Sequence, residues 1–272
     1  MKPADMVVVL TGAAGGIGRA LTLALTTAGA RVLLVGRRPA PLAGLAAELG
    51  TPRRAQALCA DITRTEGREA IRAAAEAQGA NVLINNAGVP CFGALDSLSG
   101  EAIAATLQTN LVAPILLTHA LLPHLLRQRA ARVVNVGSVL GGLGLPGYSV
   151  YSAGKFGLRG FSEALRRELA GTSVGVQYLG PRTTRTAFND ARVEAYNRAT
   201  AARADAVERV ALAALALIAS GRPERFIGFP ESLAVRVNGL APRWLDAAFV
   251  KHAAALVDTS AAAGTPAPAP AP

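Results

Sequence analysis

Three side chains in the middle of the chain could together move a proton to or from an oxygen atom. Tyr151 and Lys155 are four residues apart, so on a helix they share a face. An unperturbed tyrosine has a pKa of about 10, and a nearby ammonium group favours the phenolate and lowers that value. Ser138 precedes Tyr151 by 13 residues and can donate to a developing oxyanion. We predict Tyr151 as a general acid/base, a role that contributes roughly 10²–10⁴ in rate.

A glycine-rich segment near the N-terminus has the composition of a phosphate-binding turn. Residues 11–18 read Thr-Gly-Ala-Ala-Gly-Gly-Ile-Gly, follow the apolar run 6–10 and open a predicted helix. Glycines let backbone N–H groups approach a pyrophosphate, and a helix N-terminus favours negative charge. Glycines also close ordinary turns, so the strand–turn–helix context carries the prediction. The predicted cofactor contacts are Gly12, Ala14, Gly16, Ile17 and Gly18.

The second predicted strand spans residues 31–35, and the residues that follow it help to determine which dinucleotide binds. NAD-selective sites place an acidic residue there, about 20 residues beyond the glycine turn, where it accepts from the ribose 2′-hydroxyl. Here that position holds Gly36, followed by Arg37 and Arg38. A guanidinium can bind a 2′-phosphate through charge-assisted hydrogen bonds. We therefore predict NADP(H), against the alternative of a solvated arginine pair.

Asp61 and Ile62 follow the third predicted strand and are predicted to contact the adenosine end of the cofactor. Asp61 could accept from an adenine amino group, or it could cap the helix that begins near Thr63. Both interpretations stay open.

The elements that must position these residues follow an alternating pattern. Short β-rich runs alternate with helical runs of 10–20 residues over the first 180 residues. This pattern predicts an α/β fold with a Rossmann-type, doubly wound parallel sheet in three α/β/α layers, built as a single domain. Such sheets bind ligands at the carboxyl ends of their strands. Every motif above lies just after a strand or on the next helix, so all could meet at that edge.

We divide the chain into a dinucleotide-binding domain over residues 1–258 and a tail over 259–272. Within the domain, residues 183–204 are predicted to form a substrate flap and residues 231–258 a helical extension. The Ala/Pro composition of the tail predicts disorder.

Composition excludes several classes of protein. The 272 residues are 51% hydrophobic and 17% charged, which excludes a disordered chain. Two cysteines, Cys59 and Cys91, exclude a disulfide scaffold and a cysteine-based zinc site, and we predict no metal. We expect no apolar run that reaches the ~18–20 residues of a membrane span. Residues 6–10 are too short for a signal h-region, so we expect a cytoplasmic protein.

The formal charge of +10 invites a nucleic-acid hypothesis, which the residue pattern does not support. Of the 28 basic residues 25 are arginines, and they are spread along the chain. Aromatic residues make up 4%, too few for a base-stacking platform. We predict a solvated basic surface and no nucleic-acid partner.

Taken together, these segments resemble the single-domain branch of the short-chain dehydrogenase/reductase family. The matching pieces occur in the family's order between residues 6 and about 190. They are residues 11–18, Asn-Asn-Ala-Gly at 85–88, Asn110, Ser138 and Tyr-Ser-Ala-Gly-Lys at 151–155. The resemblance implies reduction of a ketone to a secondary alcohol, with hydride from NADP(H). It implies that Lys155 binds the nicotinamide ribose and lowers the pKa of Tyr151, and that Ser138 orients the carbonyl.

The resemblance also implies roles for residues outside the central triad. Asn110 would help to hold a water chain that leads to Lys155, although a helix kink or cap is an alternative. Asn86, Ala87 and Gly88 would line the cofactor.

After the sixth predicted strand the family usually has Pro-Gly, whereas this chain has Pro181 followed by Arg182. Pro181, Thr184 and Thr186 are expected at the nicotinamide. Arg182 or Arg185 either faces an anionic group or points to solvent.

The substrate side is predicted to be apolar. The loop 139–147 carries no charge, and an apolar pocket suits an aliphatic or aromatic ketone, or a 3-oxoacyl chain. The predicted lining residues are Leu140, Leu145, Tyr148 and Phe188. The alternative is that the loop packs on the protein's own core. The competing functions are turnover of a small or polyketide-type ketone or alcohol, and non-enzymatic NADP(H) sensing.

Two parts of the chain are candidates for contacts with other molecules: the helices expected to pair between subunits and the C-terminal extension. The resemblance implies a homodimer or homotetramer that pairs the long helix at 101–129 and the Tyr151 helix between subunits. The extension interleaves apolar residues with Arg236, Arg243 and Lys251, a membrane-surface pattern. The alternatives are a helix that closes the domain and a contact between subunits.

Overall fold

The computed structural model describes residues 1–50 and 54–261. Its seven strands are β1 (Val7–Thr11), β2 (Arg31–Gly36), β3 (Ala55–Cys59), β4 (Val82–Asn85), β5 (Ala131–Val136), β6 (Val174–Gly180) and β7 (Glu224–Phe226). All pair in parallel, in the order β3-β2-β1-β4-β5-β6-β7. The order reverses between β1 and β4, and ligands of such sheets bind at this reversal.

Eleven α-helices occur in the described residues. They are α1 (Gly16–Thr27), α2 (Pro39–Glu48), α3 (Thr65–Gln78), α4 (Gly100–Leu107), α5 (Ala113–Leu126), α6 (Ser149–Glu168), α7 (Ala191–Ala199), α8 (Val207–Ser220), α9 (Glu231–Leu240), α10 (Arg243–Asp246) and α11 (Val250–Ala261). With the parallel sheet between them they confirm the predicted three-layer, doubly wound α/β fold.

The strands read as continuous apolar runs because helices cover both faces of the sheet. All five residues of β1 are buried. Val8 and Leu10 point to one face, where they join a core cluster with Leu21 of α1 and Leu217 of α8. Val9 points to the other face and joins a cluster with residues of α3 and α5. The period of two along β1 therefore divides the core into two layers.

The long helix predicted at 101–129 is interrupted. Between α4 and α5, residues 108–112 form one π-helical turn that carries the buried Asn110. The run 100–126 is long and apolar enough to cross a membrane by composition, but 44% of its most apolar 18-residue window is buried inside the protein. Leu117 and Leu121 pack fully buried in the core layer of β1 and β5, so this segment has the character of a core helix.

The flap and extension also have regular structure. The flap contains α7, and its base is tied back by hydrogen bonds from Arg185 N to Asp205 O (3.0 Å) and from Asp205 N to Thr183 O (2.8 Å). The predicted start of the tail is wrong by three residues, because 259–261 continue α11. Residues 262–272 lie outside the described residues.

Candidate active site

The glycine turn brings the backbone of α1 close to β1. Gly12 has a φ of 64°, a conformation that favours glycine. A Cβ on Gly18 would overlap the carbonyl oxygen of Gly12, so only glycine allows this close packing. The N-cap residue of α1 is Gly15, which has no side chain to bond the N–H groups of the first helical turn. Exposed Gly16 and half-buried Ala14 and Ile17 complete the turn, and its N–H groups and positive helix end fit a pyrophosphate.

The turn after β4 is bonded directly to the glycine turn. Thr11 Oγ1 accepts from the N–H groups of Asn86 and Ala87, both at 3.0 Å. Asn86 Nδ2 donates to the carbonyls of Thr11 (3.0 Å) and Gly12 (3.2 Å). The predicted contacts at 86–88 thus lie beside the glycine turn. Sequence reasoning gave Thr11 no separate role, although its place at the end of an apolar strand was a usable signal.

Asp61 closes the turn that precedes α3 and does not cap that helix, whose N-cap residue Arg64 makes no side-chain capping bond. Asp61 Oδ1 accepts from Thr63 N (2.9 Å) and Thr63 Oγ1 (2.7 Å) at the approach to α3. Burial raises the pKa of the Asp61 carboxyl, but the Thr63 hydrogen bonds and the charges of Arg37 and Arg64 outweigh burial and hold the pKa below its usual value. Ile62 is buried in the core.

Arg37 and Arg38 are exposed at the end of β2, directly after Gly36. The charge of Arg37 acts on Asp61, so Arg37 and Asp61 belong to the same rim of the cleft. A guanidinium there is accessible to a phosphate from solvent.

The loop after β6 reaches the glycine turn. A Cβ on Gly16 would collide with the side chain of Thr186. The carbonyl of Pro181 accepts from Val139 N at 2.9 Å. Thr184 is buried, and its hydroxyl donates to the carbonyl of Arg182 at 3.0 Å. The structure therefore places Pro181 and Thr186 at the cleft. The Thr184 hydroxyl points into its own loop and bonds the backbone there.

Tyr151, Lys155 and Ser138 come together at the carboxyl end of β5. Lys155 is buried on α6, and its Nζ donates to the carbonyl of Val136 at 3.0 Å. The same Nζ lies 5.6 Å from the centre of the Tyr151 ring. The Ser138 hydroxyl lies close enough to the Tyr151 phenol to lower its pKa, and it accepts from Leu140 N at 3.1 Å.

Burial dominates the electrostatics of this triad. Burial raises the pKa of Tyr151 well above its usual value and outweighs the hydrogen bond with Ser138, which lowers it. Burial lowers the pKa of Lys155 to about 8. In the protein without cofactor, desolvation of the phenolate dominates, and the lowering expected from Lys155 together with an oxidised nicotinamide stays a prediction. Tyr151 consequently keeps its proton, the form that a general acid needs.

Asn110 uses its amide to hold the backbone after β4. Its Oδ1 accepts from Val89 N (2.8 Å), and its Nδ2 donates to Val89 O (2.9 Å). A Cβ on Gly88 would lie 3.1 Å from Asn110 Oδ1 and 3.9 Å from Lys155 Nζ. The π turn that carries Asn110 matches the helix-kink interpretation and brings this residue next to Lys155.

Two of the four predicted pocket residues pack on the protein's own core. Leu140 is 8% exposed and forms a cluster with Leu143 and with Val235 of α9. Leu145 packs against the same cluster. Tyr148 and Tyr151 pack against the same cluster, so the assignment of Leu140 and Leu145 to the substrate pocket stays a prediction.

The other two predicted pocket residues flank Tyr151. The ring centroids of Tyr148 and Phe188 lie 6.2 Å and 6.1 Å from that of Tyr151. Phe92 packs 4.9 Å from Tyr148 and 5.0 Å from Tyr196 of α7, and so extends an aromatic wall from Tyr151 towards the flap. Sequence reasoning missed Tyr196, since nothing in the irregular flap sequence signals its burial.

Arg182 is bound by carboxylates of the protein. Its guanidinium donates to Asp205 at 3.0 Å and 2.8 Å and to Glu231 at 3.1 Å. Its side chain is 9% exposed. The solvent-facing alternative is wrong for Arg182, because Asp205 and Glu231 are anionic partners on later elements. Arg185 is exposed and donates to the carbonyl of Ala204 at 2.9 Å.

Comparisons with known proteins agree with this architecture. The family model described as "short chain dehydrogenase" matches residues 6–197. The chain is 36% identical over 184 residues to Nodulation protein G of Rhizobium sp. (strain N33), covering 67% of this chain and 74% of that protein. It is 32% identical over 202 residues to the 3-oxoacyl-[acyl-carrier-protein] reductase FabG of Vibrio cholerae, covering 74% and 82%.

Solved structures share the fold. A short-chain dehydrogenase/reductase from Burkholderia phymatum in complex with NAD superimposes with a TM-score of 0.80 at 24% identity, covering 90% of this chain and 96% of that one. A short-chain dehydrogenase from Streptomyces avermitilis gives a TM-score of 0.76 at 26% identity, covering 89% and 97%.

Proposed function

The chain belongs to the short-chain dehydrogenase/reductase family of nicotinamide-dependent oxidoreductases, and from that premise we propose that it reduces a ketone to a secondary alcohol with NADP(H). The observation that carries the proposal is the convergence of Tyr151, Ser138 and Lys155 at the carboxyl end of β5. A protein that only sensed NADP(H) would not need these three side chains close together.

The protein's own residues supply the proton that the reduced carbonyl oxygen takes up. When bound, the reduced nicotinamide supplies the hydride. A carbonyl oxygen that enters between Ser138 and Tyr151 accepts hydrogen bonds from both hydroxyls, which stabilises the negative charge that develops on it. Tyr151 then donates its proton to that oxygen. Lys155, held by the Val136 carbonyl, keeps two further N–H donors for the ribose hydroxyls and stabilises the phenolate that remains.

The assignment of NADP(H) over NAD(H) rests on the rim of the cleft. Position 36 is a glycine, and the two residues after it are exposed arginines. A carboxylate at the end of β2 would repel a 2′-phosphate, whereas a guanidinium binds it. The residues that would hold the cofactor are those of the glycine turn, Arg37, Arg38, the 86–88 segment, Tyr151 and Lys155.

Two substrate classes are supported by different observations. The Vibrio cholerae relative is a reductase of 3-oxoacyl chains, which favours an oxoacyl substrate. The packing of Leu140 against Val235 closes one side of the site and leaves the aromatic residues Tyr148 and Phe188 beside Tyr151, which favours a smaller or planar ketone as the second candidate.

The test is an NADPH-oxidation screen with 3-oxoacyl thioesters of increasing length and with small ketones. We expect turnover with at least one class and a loss of roughly 10²–10⁴-fold in kcat for Tyr151→Phe. Full activity of Tyr151→Phe, or no turnover with either class, would contradict the proposal.

We also propose a homodimer or homotetramer in which α5 and α6 pair between subunits. Val112 and Leu116, at and after the π turn, and Phe156 on α6 are large apolar residues that stay exposed in the single chain. Such a face is typical of a subunit contact. Light scattering after gel filtration tests the assembly, and a monomer would contradict it.

The extension supports peripheral docking on an anionic membrane. Leu240 and Trp244 are 89% and 80% exposed, and Arg236 and Arg243 are exposed beside them. Exposed apolar side chains can enter the interface of a bilayer while arginines attract acidic lipids. Val235 on the opposite face of α9 packs against the loop at 139–143, so the docking face stays outside.

A further inference from the structure

Tyr178 on β6 is a buried tyrosine that the mechanism above does not use. It is 2% exposed. Its hydroxyl donates to the carbonyl of Ser138 at 2.9 Å and accepts from the N–H of Ser138 at 3.0 Å. One phenol therefore satisfies both backbone groups of a residue that contacts the Tyr151 phenol.

Ser138 needs such a partner because of its place in the sheet. It follows the end of β5 at Val136. The N–H groups on either side of it, of Gly137 and Val139, donate to the carbonyls of Leu179 (2.8 Å) and Pro181 (2.9 Å). Tyr178 supplies the hydrogen bonds of the one residue between them, and buried backbone groups left without partners are costly.

The tyrosine ring fits because two glycines leave room for it. A Cβ on Gly137 would overlap the ring and hydroxyl of Tyr178, and a Cβ on Gly141 would overlap that hydroxyl. The same Cβ on Gly141 would lie 2.7 Å from the carbonyl oxygen of Lys155. The phenol of Tyr178 thus lies between the Ser138 loop and the turn of α6 that carries Lys155.

We propose that Tyr178 is a positioning residue that fixes the backbone of Ser138 and thereby the direction of the Ser138 hydroxyl towards the reacting oxygen. The inference rests on the proposed function, in which Ser138 acts on that oxygen. Small displacements of a catalytic hydroxyl are costly, because hydrogen bonds to a developing charge depend steeply on geometry. The competing explanation is that Tyr178 only fills the core, where its ring packs 5.8 Å from that of Phe226.

The substitution Tyr178→Phe separates the two explanations, since it removes the hydroxyl and keeps the ring. For the folded variant we expect kcat to fall roughly 10–100-fold with KM for NADPH unchanged. In a Ser138→Ala background the same substitution should cost less than about twofold more, because residues that act through one another are not additive. A role in core filling alone would leave kcat unchanged.

Gln177→Met is the matched control. Gln177 is the neighbour of Tyr178 on β6 and is buried, and its amide donates to the carbonyls of Leu217 and Arg222, both at 2.7 Å. Side chains of adjacent strand residues point to opposite faces, so this variant removes buried hydrogen bonds away from Ser138. We expect it to lower the melting temperature while kcat changes less than about twofold.

Hydrogen–deuterium exchange gives a readout that needs no substrate. In Tyr178→Phe, peptides that cover residues 137–142 should exchange at least several-fold faster than in the wild type, and in Gln177→Met they should not. A wild type without NADPH turnover would refute the proposed function while exchange still tested Tyr178. Unchanged exchange at 137–142, unchanged kcat, or losses that multiply in the Ser138→Ala background would overturn the inference.

Discussion

The Lys155 ammonium lies 5.6 Å from the centre of the Tyr151 ring while it donates to the carbonyl of Val136. The i,i+4 spacing on α6 puts the two side chains on one face, and the end of β5 fixes where that face points. Lys155 is buried and Tyr151 is half-buried, and the resulting loss of solvation raises the pKa of Tyr151 and lowers that of Lys155 to about 8. Below about pH 8 both groups therefore carry their protons, the state from which Tyr151 can act as an acid.

The pKa of Lys155 predicts the pH profile of reduction. A lysine is charged below its pKa, so kcat/KM for the ketone should be level from about pH 6 to 7.5 and fall as Lys155 loses its proton near pH 8. Tyr151 stays protonated across this range. In Lys155→Arg the charge persists, so whatever activity remains should no longer fall near pH 8. A wild-type profile that is level to pH 10 would contradict this assignment.

The arginines after β2 predict cofactor preference. We expect NADPH to be preferred over NADH by at least about tenfold in kcat/KM, because a hydrogen bond to a charged group contributes roughly 1.5–3 kcal/mol. Arg37→Ala combined with Arg38→Ala should remove most of that preference by raising KM for NADPH alone. Arg72→Ala, which removes an exposed arginine paired with Glu76 on α3, is the control and should leave both constants unchanged. A wild type that prefers NADH would refute NADP(H).

The buried pair of Arg182 and Asp205 predicts a large loss of stability in Asp205→Asn. Leaving Arg182 with Glu231 alone should cost about 3 kcal/mol, and so lower the melting temperature by roughly 6–12 °C. Asp205→Glu, which keeps the charge, should lose less. A shift below about 2 °C for Asp205→Asn would show that Glu231 suffices.

The same pair predicts a pH dependence. Burial raises the pKa of Asp205, but Arg182 and Arg209 outweigh burial and hold it below its usual value. A carboxyl with a lowered folded pKa contributes stability above its unfolded pKa of about 3.9 and loses that contribution as the pH falls through the folded value. The stability difference between wild type and Asp205→Asn should therefore shrink below about pH 4, as measured by urea unfolding. A constant difference down to pH 3 would contradict this linkage.

The exposed face of the extension predicts membrane binding that depends on lipid charge. The protein should pellet with phosphatidylglycerol vesicles at low salt, and less with neutral vesicles or at high salt, since salt screens the attraction. Leu240→Ser with Trp244→Ser should reduce pelleting several-fold. Leu212→Ser, on α8 and 64% exposed, should not. Absence of wild-type pelleting with anionic vesicles would end the hypothesis.

The sheet and the central triad could be predicted because their signals are local. Apolar runs such as β1 indicate a strand that is covered on both faces. Tyr151 and Lys155 lie side by side as soon as the one helix that carries both is formed. The glycine turn likewise depends on its immediate neighbours, Gly12 and Gly18, for its geometry.

Other features depend on residues distant in sequence. Leu140 is covered by Val235, 95 residues further along the chain, a contact that the apolar loop sequence does not encode. Arg182 finds Asp205 and Glu231 on later elements. The direction of the Tyr151 pKa depends on how completely its surroundings exclude water, which the spacing to Lys155 does not encode.

Arg182 joins three parts of the chain: the loop after β6, Asp205 at the base of the flap and Glu231 at the start of α9. Separating any one part from the others would leave a poorly hydrated cation or carboxylate without its partner. One guanidinium therefore links the base of the flap to the first of the C-terminal helices, so a substitution at Arg182 acts on both segments at once.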